Sequence, residues 1–150
     1  TMIYIIITAA VFILDFFVKK YIDKHYKIKE KHPHLGGKVC IQKFYNRGAT
    51  LNLLAKHPKI MTAIHSAVML FVAVLFYFSM RISGKPLTKT GLAMLSGGGL
   101  SNLYDRYTKH HVIDYVRFGF GPKWFQQVIF NVSDFFIFIG AVLATVGEGL

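Results

Sequence analysis

The sequence predicts a mainly α-helical membrane protein: four transmembrane helices, with a small β-rich platform between spans one and two, in a single domain covering residues 1–150. Three observations predict it. The chain is 53% hydrophobic and only 17% charged, whereas soluble domains carry about a quarter charged residues. Four apolar stretches, about Met2–Val18, Ile60–Met80, Leu87–Tyr107 and Val128–Val146, approach the roughly 20 residues that cross a bilayer. The net charge of +11 is concentrated outside those stretches.

The first stretch has no basic residue ahead of it and no small-x-small site behind it. It therefore reads as a retained span rather than a cleavable signal peptide. The loop that follows, about Lys19–Lys59, is strongly basic (KKYIDKHYKIKEKHPH) and suits a position beside anionic lipid headgroups. Within it, KVCIQKFYN has strand character and follows a Gly36–Gly37 turn signal. Membrane lipid is thus an expected partner; nucleic acid is not, because no recognition motif accompanies the charge. Cys40 is the single cysteine, which excludes an internal disulfide and a cysteine-based metal cluster.

The second span ends in the short RISGKP turn. The third carries Gly97, Gly98 and Gly99, small residues that let helices approach closely. The third loop, about Thr108–Gln127, holds Tyr115, Phe118, Phe120, Trp124 and Phe125, the composition of an interfacial aromatic belt.

Polar residues in this setting are informative, because a carboxylate at membrane depth is costly and marks a functional site by default. Asp105 ends span three and Asp134 begins span four, each three residues after an asparagine, Asn102 and Asn131. That spacing puts each Asn on the same helix face as its Asp. Two carboxylates at similar depth repel, which leaves one as a base and the other as an acid. Alone, Asp105 reads as an ion pair with Arg106 or Lys109, and Asp134 as a helix-N-terminal acid capped by Ser133 or Asn131. Asp15 and Lys19 form a structural i,i+4 pair, and Asp114 reads as structural support beside Arg117 or Arg106, with a place in the site as the alternative. With alternating spans, Asp15, Asn46, Asp105 and Asp134 fall on one side of the membrane. Positive-inside bias would make that side cytoplasmic. His32–His34 and His110–His111 lack further ligands for a metal, and no serine has a base at matching depth.

The blocks LDFFVKK (Leu14–Lys20), FYNRGATLNLL (Phe44–Leu54), GGGLSNLYDRYTKHHVIDYVRF (Gly97–Phe118) and FNVSDFFIFIGAVL (Phe130–Leu143) resemble, in order, those of lipoprotein signal peptidase (signal peptidase II). The resemblance implies a monomeric aspartyl endopeptidase with four spans in the bacterial inner membrane. Its substrate would be a prolipoprotein, cut before the diacylglyceryl-modified cysteine without metal or organic cofactor. It implies Asp105 and Asp134 as the catalytic pair, Asn102 and Asn131 as their supports, and Asp15, Asn46 and Arg106 as further site positions. It also places platform and site at the extracytoplasmic face, against the charge bias. The chain departs from the family pattern at Phe16, Thr50, Asn52, Ser101 and Ser133, as a divergent member would. Two other classes of function stay open on the residues alone. A non-catalytic lipid- or lipopeptide-binding protein would use the same scaffold. An ion carrier would need a polar trail through spans two and four, which the sequence lacks.

Overall fold

The computed structural model describes residues 1–49 and 53–149; Thr50 and Asn52 lie outside the described residues. Four long helices make up the bundle: α1 (Met2–His25), α2 (Pro58–Arg81), α3 (Pro86–Lys109) and α5 (Val132–Gly149). Proline opens α2 and α3, where its missing N–H costs nothing. α1 runs well past the apolar stretch read from the sequence, and α5 begins four residues after Val128.

The central helix is α3, with α1, α2 and α5 packed around it. Its three consecutive glycines account for that position. Successive residues turn by about 100°, so each faces a different neighbour. A Cβ on Gly97 would lie 2.6 Å from the Thr8 carbonyl of α1, and one on Gly98 would lie 2.7 Å from the Ser133 carbonyl of α5. A Cβ on Gly99 would collide with Met69 of α2. α1 runs parallel to α3, since Thr8 Oγ1 donates to the Ala93 carbonyl and Lys19 Nζ reaches Asn102. α2 and α5 run the other way: Ser66 bonds Tyr107 while Met69 meets Gly99, and Asn102 bonds Asp134 while Gly91 meets Gly140. The alternation expected of the spans is therefore present.

α1, α2 and α5 are long and apolar enough to cross a membrane. α3 equals α1 in length but is rich in Gly, Ser and Thr, because most of its surroundings are protein. The bundle is apolar outside and polar inside. Ile3, Phe17, Leu70, Phe71 and Phe138 are exposed, while Asp15, Lys19, Asn131 and Ser133 are almost wholly buried.

The sheet differs from the expectation. Its four strands are antiparallel in the order β1 (His32–His34), β2 (Val39–Asn46), β3 (Val112–Phe118), β4 (Ile129–Phe130). The predicted strand is β2, and the turn before it passes through Gly36 and Gly37 at φ +66° and +85°. Yet β3, with Tyr115 and Phe118, comes from the third loop, and β4 from the start of the fourth apolar stretch. The β-branched run Val112, Ile113, Val116 favours a strand once β2 supplies a partner. A short helix, α4 (Lys123–Gln126), links β3 to β4. Ile113 and Tyr115 pack on Ile22 of α1. Tyr45 donates to Asp23 at 2.6 Å and Lys43 pairs with it, so the sheet is fastened to the end of α1. The bond to Asp23, together with burial, pushes the Tyr45 hydroxyl up to about 12.

Candidate active site

The site is built around the N-terminus of α5, whose first N–H groups lack partners within the helix. Each finds one elsewhere. The Val132 N–H donates to Tyr115 Oη (3.1 Å), Ser133 N–H to Asp15 Oδ1 (3.1 Å) and Asp134 N–H to Asn131 Oδ1 (3.0 Å). Asp134 Oδ2 in turn accepts from the Asn131 N–H at 2.9 Å. Asn131 and Asp134 are thus the two halves of a capping box. The shared-face relation read from the sequence has this local cause. Burial and the charge of Asp15 hold the Tyr115 hydroxyl well above its ordinary range.

Lys19 forms the second centre. It is 1% exposed, and its ammonium lies 2.7 Å from Asp15 Oδ2, 2.7 Å from Asn102 Oδ1 and 3.1 Å from Asp105 Oδ2. Ser101 Oγ donates to Asp15 at 2.6 Å. A buried ammonium needs several such acceptors.

From these centres amides lead to two further carboxylates. Asn102 Nδ2 donates to Asp134 Oδ1 (3.1 Å), and Asn131 Nδ2 donates to both Asn102 Oδ1 (3.1 Å) and Asp114 Oδ1 (2.8 Å). Asn46 Nδ2, at the end of β2, donates to Asp114 Oδ2 at 3.0 Å. Asp114, 3% exposed on β3, is therefore tied to Asp134 through one asparagine, Asn131. Burial, reinforced by the charge of Asp134 and opposed by the two amides, pushes its carboxyl up to about 8.

Asp114 and Asp134 both line a cleft of about 690 Å³. Asn46, Asn102 and Arg106 line it too, while Asp15, Asp105 and Asn131 do not. Arg106 donates to the Gly48 and Arg47 carbonyls (2.6 and 3.4 Å), so it fastens the segment after β2. Asp105, paired with Asp134 in the sequence reading, points elsewhere. Its Oδ1 takes Lys109 at 2.9 Å, and its Oδ2 takes Lys19 and the Ile113 N–H. Its own asparagine, Asn102, serves Asp134. The two walls of the cleft are helical stripes at i, i+3, i+4, i+7 spacing: Met61, Ile64, His65, Val68 on α2 and Asp134, Ile137, Phe138, Ala141 on α5. Ile64, Val68 and Phe138 are also 45, 52 and 71% exposed, so the cleft opens sideways along apolar helix faces.

The charge count is informative. Asp15, Asp105, Asp114 and Asp134 face three cations, Lys19, Arg106 and Lys109. One proton held among the carboxylates makes the interior neutral, and uncompensated charge there is expensive. The sequence favours structural support over a place in the site for Asp114 and does not single out His65; both line the cleft. The available signal for Asp114 was an acid in the middle of an apolar β run, Val112 to Val116.

Comparison with known proteins follows the same lines. Residues 7–148 match the family described as signal peptidase (SPase) II. The lipoprotein signal peptidase of Mesorhizobium japonicum is 32% identical over 146 residues, covering 97% of this chain and 84% of that protein. The lipoprotein signal peptidase of Halothermothrix orenii is 32% identical over 142 residues, covering 95% and 91%. A bacterial membrane enzyme structure, solved in meso at 2.3 Å resolution, shares the fold: TM-score 0.82 at 19% identity, over 99% of this chain and 88% of that one. The chain, with its membrane-spanning helices and its cleft of buried carboxylates, belongs to the signal peptidase II family of proteases.

Proposed function

We propose that the chain is an intramembrane aspartyl endopeptidase that removes signal peptides from diacylglyceryl-modified prolipoproteins, with Asp114 and Asp134 as its catalytic pair. The observation that carries this reading is the convergence of these two buried carboxylates, from β3 and α5, on one cleft and one asparagine. Asp105 is a structural anion in this reading, because lysines and a backbone N–H occupy both its oxygens.

Asp134 is the member suited to carry charge. It sits in the first turn of α5, where the helix dipole favours an anion, and accepts an N–H on each oxygen. Asp114 carries the proton. Asp134 takes a proton from a water, whose oxygen attacks the scissile carbonyl carbon, and Asp114 protonates the carbonyl oxygen as the tetrahedral intermediate forms. Collapse of the intermediate breaks the C–N bond. The proton gained by Asp134 passes to the leaving amine, and Asp114 recovers its own from the collapsing hydroxyl. No group on the protein forms a covalent bond to the substrate. Asn102, Asn131 and Asn46 hold the carboxylates in place, and Asp15 supports the site through the Ser133 N–H.

The lateral opening between α2 and α5 suits a lipid-modified peptide, whose acyl chains stay in the bilayer while its backbone enters the cleft. We take α3 as the fourth spanning helix: its 24 residues extend about 36 Å, against a hydrocarbon core of about 30 Å. The protein is placed in the bacterial inner membrane, with the sheet and cleft toward the extracytoplasmic face. A gel-shift assay with purified protein and diacylglyceryl-modified prolipoprotein tests the reading. Mass spectrometry should find the product beginning at the modified cysteine. An intact substrate, or a cut elsewhere, contradicts it.

A further inference from the structure

On the wall that α2 turns toward the cleft, Met61, Ile64 and Val68 are apolar, and among these described residues only His65 can hydrogen-bond. An ionisable side chain on a spanning helix, facing a cavity, marks a function. Its level is fixed by packing. Met69, four residues further along α2, meets Gly99 of α3, and Asn102 lies three residues beyond Gly99. The two helices are antiparallel and rise about 1.5 Å per residue, which carries His65 to the level of Asn102 and hence of Asp134, its bonded partner at 3.1 Å. His65, whose ring also hydrogen-bonds the Gly99 backbone of α3 through one nitrogen, therefore stands on the opposite wall from the carboxylates with its second nitrogen to offer.

A helical peptide keeps its backbone groups bonded internally and is about 10–12 Å across. A peptide whose carbonyl reaches the carboxylates therefore lies extended, and successive backbone groups of an extended chain point to alternate sides. Those facing Asp114 and Asp134 take part in the chemistry. Those facing α2 would be left unpaired against apolar side chains, which is costly where little water reaches. We propose that His65 is a substrate-positioning residue, which hydrogen-bonds a backbone amide group of the peptide next to the scissile bond from the side opposite the carboxylates. The inference rests on the protease reading above. The same imidazole could meet an ester carbonyl of the substrate's glycerol lipid, and the test separates the two sources.

The test measures KM and kcat on a diacylglyceryl-modified prolipopeptide for the native chain, His65→Leu and His65→Gln. Leucine keeps the wall filled, and glutamine restores a donor and an acceptor. Loss of one hydrogen bond should raise KM about tenfold in His65→Leu, with kcat within about twofold of native and most of the loss recovered in His65→Gln. The KM penalty should persist on a substrate whose lipid chains are ether-linked. An unchanged KM in His65→Leu, a loss confined to kcat, or a penalty that vanishes with the ether-linked substrate overturns the proposal. If the native chain itself cleaves nothing, the protease reading fails instead.

Discussion

Lys19 holds the interior of this molecule together. Its ammonium satisfies Asp15, Asp105 and Asn102 at once, and through Asn102 it fixes the amide that serves Asp134. Asp105 is one arm of that arrangement. Asp105→Asn should therefore lower thermal stability by about 3 kcal/mol, the scale of a broken buried ion pair, while activity per folded molecule stays within about tenfold of native. A thousandfold loss in a folded Asp105→Asn protein would contradict the structural role. Asp114 makes a different prediction. Its carboxyl is pushed up to about 8 by burial and by Asp134, and the mechanism needs its proton. Protonated Asp114 is fully present well below that value and is lost as pH rises through it. The rate should accordingly fall across about pH 8 to 9; a profile still rising at pH 10 would refute the assignment. Asp134, Asn102 and Asn131 stand out in the sequence as polar groups in or beside apolar runs, and Asp15, Asn46 and Arg106 come from the resemblance. Asn46, Asn102, Arg106 and Asp134 line the cleft, and Asp15 and Asn131 bond into the network behind it. Which acid faced which was not legible. The partner of Asp134 lies on a strand formed only when β2 meets β3, and no sequence spacing connects Asp114 to α5.

At the scale of elements, α3 and the sheet decide the geometry. The glycine run was legible as a packing feature, but its three-way division among α1, α5 and α2 follows from rotation about a helix whose neighbours are known. Gly98→Ala would set a methyl against the Ser133 carbonyl, backbone that cannot yield without moving the first turn of α5 and with it Asp134. It should cost about 1–3 kcal/mol and most of the activity. Gly99→Ala meets the thioether of Met69, which can change rotamer, and should be the milder of the two in melting temperature and cleavage rate. Equal effects would count against α3–α5 contact as the determinant of the site. The helices were read almost to their ends, apart from the end of α1, which continues through basic residues to His25, and the start of α5, where the apolar Val128–Phe130 disguised a strand and a cap. The platform was partly legible, since β2 is rich in β-forming residues behind a Gly-Gly turn, while β3 depends on a partner some 70 residues away.

The helical bundle is apolar on its outer surface and charged within, the arrangement that lipid favours. Its exposed lysines crowd the sheet side: Lys20, Lys24, Lys27, Lys29, Lys31 and Lys38. Charge bias alone would turn that side inward, whereas the proposed function turns it outward. Single-cysteine reporters decide between them. On a Cys40→Ser background, Lys38→Cys on the sheet side should react with a membrane-impermeant maleimide added to intact cells, and Ser83→Cys in the opposite turn should not. The reverse pattern would place the cleft at the cytoplasmic face.

The central claim is that Asp114 and Asp134 together perform the cleavage, and the most direct test compares Asp114→Asn, Asp134→Asn and Asp105→Asn on diacylglyceryl-modified prolipoprotein, each at matched folded concentration. Asp114→Asn and Asp134→Asn should each lose at least about a thousandfold in rate, because neither acid nor base function survives alone, while Asp105→Asn continues to cleave. Retained cleavage in Asp114→Asn, with activity abolished in a folded Asp105→Asn, would contradict the account and restore Asp105 as the partner of Asp134.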